Sequence, residues 1–105
     1  MKDQQTKYAH TIISKLTSVV TGFEALTVNP AFVLIAASIA KPLTDAISTF
    51  RAILADCNAM VTGSEPLAPI PDPKSVAAQV ATVKKSAAVI TGMLVQIVKA
   101  QGLSR

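Results

Sequence analysis

Charge, histidine and cysteine are scarce in this chain, and each shortage closes off a class of function. Only six residues are acidic, Asp3, Glu24, Asp45, Asp56, Glu65 and Asp72, and they are too scattered for paired acid–base chemistry. The single histidine, His10, and the single cysteine, Cys57, lie far apart and have no acidic neighbours at ligand spacing. That argues against a zinc centre and against a Cys–His nucleophile. The few glycines form neither a phosphate loop nor a nucleophile elbow. The expectation is a protein that is not an enzyme and that carries no metal or cofactor.

The remaining shortages bear on compartment and partners. A lone cysteine cannot close an internal disulfide, and Cys57 falls in an apolar helical series, where it reads as a small buried hydrophobe. Ten basic residues outweigh the six acidic ones and give a net charge of +4. Yet only one arginine, Arg51, lies inside the fold and the one tyrosine sits near the N-terminus, so base-reading clusters and stacking platforms are missing. Nucleic acid is not the expected partner. Continuous apolar runs long enough to span a bilayer are also missing, because Lys41 and Pro42 interrupt the best one, residues 31–40. The chain therefore reads as soluble or peripheral. Met1-Lys2-Asp3-Gln4-Gln5 lacks the apolar core of a signal peptide. With 15% charged residues, against roughly 25% in an average domain, the surface takes much of its polarity from Ser and Thr. That favours a secreted or cell-surface protein over a cytoplasmic one, Met1 then standing where a signal was removed.

What is present is helical periodicity. At 105 residues the chain makes one domain. A first helix is expected over about 5–26, with Ala9, Ile12, Leu16, Val19, Phe23 and Leu26 in three-four alternation. After a short connection, Asn29 and Pro30 form a cap and first-turn pair, and Gly63 supplies a stop. Between them Ala36, Ile39, Leu43, Ala46, Phe50, Ile53, Cys57 and Met60 share one face, so a central helix is expected over 30–62. Unbroken it would measure about 50 Å against about 30 Å for the first. Pro42 removes a helical hydrogen bond and disfavours helical geometry at Lys41, and a kink there resolves the mismatch. The expected fold is all-α, a small antiparallel three-helix bundle with a Pro-kinked central helix. The alternative is a four-helix bundle with the central segment broken near Lys41-Pro42.

Four prolines between residues 64 and 73 make a stiff, non-helical strap, with Leu67 and Ile70 expected to pin it to the bundle. Asp72 and Pro73 repeat the cap-then-proline device and open a last helix over 73–101, with Gly102 as its stop. Val76, Val80, Val83, Ala87, Ile90, Leu94 and Ile97 form its buried seam. Lys74, Lys84, Lys85 and Lys99 fall within about 100° of one another on the opposite side, and no acidic residue follows Asp72. Such a stripe is most often a solvated face; as a binding surface it fits an anionic membrane or cell wall as well as a duplex.

In composition and helix order, this weakly charged bundle with one over-apolar segment is similar in general character to the fungal hydrophobic-surface-binding and cell-wall mannoprotein helical domains. The functional expectation from the residues starts at the segment 31–40, apolar almost all the way round in a chain too small to enclose it. It should hold an apolar ligand, a fatty acid or similar lipid, or an apolar surface. The candidate ligand-binding residues are Phe32, Leu34, Ile35, Ile39, Leu43, Phe23, Gly22, Gly92 and Met93. Gly22 and Gly92, placed mid-helix at a cost of about 1 kcal/mol relative to Ala, are expected to mark close helix approaches or room for the ligand. The alternative is a self-associating structural or adaptor module, an oligomer in which the same surface pairs with a second copy, a homodimer in the simplest case.

Overall fold

A computed structural model describes residues 2–101 of the chain. Three long helices form the bundle: α1 (Lys2–Thr27), α2 (Ala37–Val61) and α3 (Pro73–Ala100). No strand occurs among the described residues, and the three-helix bundle expected from the periodicity is what is observed. The stop expected at Gly102 lies outside the described residues.

The central segment departs from expectation. Residues 30–62 are not one helix: Pro30–Leu34 is a separate 3₁₀ helix, the chain is extended at Ile35 and Ala36, and α2 begins only at Ala37. The division falls six residues before Pro42, which α2 carries in its interior. The four-helix alternative with a break at Lys41-Pro42 is thereby set aside. With the division here α2 has 25 residues against 26 in α1, which removes the length mismatch. Turning the chain at Ile35, a β-branched residue at home in extended geometry, folds the 3₁₀ helix across the end of the bundle against α1 and α3. Ala31 and Ile35 are buried there. Asn29 caps the turn as expected, its Oδ1 accepting from Ala31 N–H at 2.9 Å. Pro42 is exposed and its missing N–H orphans only the carbonyl of Ser38, four residues back and also exposed, where water can serve it.

α2 ends where Gly63 predicts. Gly63 has φ 83°, its N–H donates to Met60 C=O, and Ser64 N–H donates to Ala59 C=O at 2.7 Å. These two bonds make a Schellman closure, for which a residue without Cβ is suited. The strap then returns to the start of α1. Ile70 is buried and its backbone is held by Gln5: Ile70 N–H donates to Gln5 Oε1 at 2.6 Å, and Gln5 Nε2 donates to Ile70 C=O at 3.2 Å. Leu67 does not pin the strap with its side chain, which is almost fully exposed. Its backbone does, through Leu67 N–H to Asp56 Oδ1 at 3.0 Å. Asp72 caps α3, accepting from Lys74 N–H at 2.8 Å.

Because the strap brings the start of α3 beside the start of α1, these two helices run parallel and α2 runs antiparallel to both. One continuous core lies between them, its largest fully buried side chains being Phe50, Leu16, Leu43, Ile90 and Cys57. Phe23 and Phe50 stack with ring centroids 6.4 Å apart, an offset arrangement that adds to their burial. The predicted seams hold with two additions and one loss: Val20 and Ile47 join the core, and Ala36 is an exposed helix cap. The whole is a rod of 54 × 21 × 20 Å. In a rod so thin no helix can be surrounded by the other two.

Candidate functional site

The three helices do not share the core equally. α1 and α2 pack closely along their length, while α3 lies more sparingly against both. α3 buries Val76, Ala87, Ile90 and Leu94, and its sparser packing leaves space beside it. That space is a groove of about 300 Å³ between α1 and α3, floored by Ile12, Leu16, Val19, Val76 and Val80 and walled by Ala77 and Ala81. Lys15 and Lys84 flank it, Thr11 and Pro73 complete it, and no acidic residue lines it. Farther along the same seam is a second apolar recess of about 330 Å³, lined by Leu26, Leu94, Val95 and Val98 with Lys99, Asn29 and Thr91.

The electrostatics follow from where the ion pairs lie. Among the described residues, Lys41 pairs with Asp45 at 2.7 Å and Arg51 with Glu24. Both pairs are on α2 or between α1 and α2. The lysines of α3 and Lys15 take part in neither, so the α1/α3 seam is bordered by uncompensated positive charge. An apolar trough with cations on its rim suits an amphiphile with an apolar chain and an anionic head.

The nine candidate residues named from sequence do not converge on this groove. Phe23, Ile35 and Leu43 are core residues, Leu43 with no exposed surface at all. Phe32, Ile39 and Met93 are half-buried at the edge of the core, and Leu34 projects into solvent. Gly22 and Gly92 are exposed, and a Cβ built on either meets nothing within 4 Å, so neither marks a close helix approach. Residues 31–40 are not the continuous helix expected from the sequence: the 3₁₀ turn buries Ala31 and Ile35 and leaves Val33 and Leu34 outside as a small apolar tip with Val28. The groove residues Ile12, Leu16, Val76 and Val80 were legible as seam positions. What the pattern lacked was any sign that their two helices would stand apart.

α3 is also the described helix long and apolar enough to cross a bilayer by length and composition, although only 17% of its most apolar window is buried in the bundle. Isolated lysines interrupt its apolar run without lowering the average hydropathy below that of a spanning helix. Lys84 and Lys85 stand at its middle, where each would cost about 3 kcal/mol at a membrane centre. Chemistry of other kinds finds little footing. Among the described residues no group of His, Cys, Asp or Glu is placed to hold a metal ion. Cys57 is fully buried, and burial together with the neighbouring Asp56 charge pushes its thiol up to about 11, the opposite of an activated nucleophile. No family model matches the chain, and comparison with curated proteins and with solved structures likewise gives no match.

Proposed function

We propose that the protein is a non-enzymatic carrier of a fatty acid or similar anionic amphiphile, held between α1 and α3. The observation that supports this reading best is the apolar groove flanked by Lys15 and Lys84 with no acidic residue in its lining. An acyl chain lying along the seam would cover Ile12, Leu16, Val76 and Val80 and run toward the second recess. The carboxylate would be met by a lysine at the rim.

The reading is tested by titrating delipidated protein with a fluorescent fatty acid and with the alcohol of the same chain length. Saturable micromolar binding of the acid, weaker for the alcohol, is expected. Absence of saturable binding by the acid overturns the reading. Self-association through the segment 31–40 is less well supported, because Ala31 and Ile35 are buried within the bundle and only Val28, Val33 and Leu34 remain as an exposed apolar tip.

A further inference from the structure

We infer that the outer face of α3 docks the protein, lying flat, on an anionic lipid bilayer. This surface is distinct from the groove. Lys74, Lys85 and Lys99 lie in a line along the side of α3 that faces away from the core, spanning about 37 Å at 1.5 Å per residue. All three are exposed, α3 contains no acidic residue, and none of the ion pairs among the described residues involves this helix. The charge is therefore free to meet an opposite one. Val89 and Val95 flank the line on either side, about half exposed, so the face alternates cations with apolar groups. Phosphate backbones of nucleic acids would use the lysines and leave the valines in water. A bilayer interface uses both, the ammonium groups at the headgroups and the valines just beneath them. Each lysine near such a surface strengthens binding roughly fivefold.

Co-sedimentation with vesicles of phosphatidylglycerol and of phosphatidylcholine tests the docking. Binding to the anionic vesicles only, weakening as salt is raised, is expected. Lys74→Gln with Lys85→Gln should reduce it by about 25-fold and leave the affinity for fluorescent fatty acid unchanged, since neither residue lines the groove. Lys7→Gln with Lys41→Gln removes the same charge from other faces and should change vesicle binding only a few-fold. The chain has no tryptophan, so orientation can be read by single introductions. Val89→Trp and Val95→Trp should shift to the blue on anionic vesicles and Ser48→Trp, on the exposed side of α2, should not. Equal binding to neutral vesicles, equal loss from the two lysine pairs, a blue shift at position 48 alone, or tighter binding to duplex DNA than to the anionic vesicles overturns the proposal. Loss of fatty-acid binding by the groove with vesicle docking intact would refute the carrier reading and leave this one standing.

Discussion

Gln5 and Ile70 exchange hydrogen bonds across 65 residues of chain: the backbone N–H of Ile70 donates to the side chain of Gln5, and that side chain donates back to the carbonyl of Ile70. A primary amide is the side chain that can do both at once. The pair works as one rung of a β-ladder built between a helix and a proline-rich strap, and it fixes where α3 begins. Gln5→Ala leaves both backbone groups of a part-buried segment without partners. A loss of about 1–3 kcal/mol is expected, read as a fall in the midpoint of thermal unfolding with helix content retained at low temperature. Gln5→Glu, which accepts but cannot donate when ionised, should be destabilised as well.

Ala36 starts α2 without a side-chain cap, its backbone already extended at φ −56° and ψ 138°. Ala36→Asp should stabilise the protein by about 1 kcal/mol, because the carboxylate can accept from an orphan N–H of the first turn and complements the helix dipole. Urea unfolding with an unchanged slope and a raised midpoint would register it.

Pro42 is exposed inside α2 and lies outside the groove. Pro42→Ala restores the hydrogen bond to Ser38 and should stabilise by about 1–2 kcal/mol, the helix gain being partly offset by greater freedom of the unfolded chain. Fatty-acid affinity should not change.

Ala77 and Ala81 line the groove from an exposed position on α3. Ala81→Phe should fill the space and lower fatty-acid affinity at least tenfold while leaving unfolding within about 0.5 kcal/mol of the parent, as expected for a surface position. Lys15→Ala with Lys84→Ala should narrow the preference for acid over alcohol. Isothermal titration separates the two effects.

Cys57 gives the protein a pH dependence of known sign. Its folded thiol titrates at about 11, above the unfolded value, so the folded state holds its proton longer. The stability it contributes is fully present below the unfolded pKa and is lost as pH rises from about 9 through 11, by on the order of 2 kcal/mol. Cys57→Ala should flatten that part of the curve. At pH 8 the native thiol should resist a maleimide that labels the unfolded chain at once.

Much of the fold was legible because a few local signals agreed with the periodicity. Asn29, Gly63 and Asp72 each sit where their side chain or lack of one meets a backbone need, and the seams of α1 and α3 follow from spacing alone. The break at Ile35-Ala36 was not legible, since nothing local marks it. That some interruption was needed followed from the length mismatch; where it falls gives α2 25 residues against 26 in α1, a match of lengths that no local residue type records. The strap anchors Gln5 and Asp56 escaped for a similar reason, as contacts between a polar side chain and a distant backbone leave no period in the sequence. The groove depends on how far two helices stand apart, which alternation does not record.

The closer packing of α1 on α2 has a kinetic consequence. The two form a helical hairpin through contacts near in sequence, the kind that assemble early, whereas α3 joins through a long strap. Hydrogen exchange should accordingly divide the protein into two cooperative units, with the amides of α3 opening at lower free energy than those of α1 and α2. Each such opening lifts one whole wall from the α1/α3 seam at once. A ligand longer than the groove mouth would then enter broadside, and its rate of uptake would be set by the exchange rate of α3.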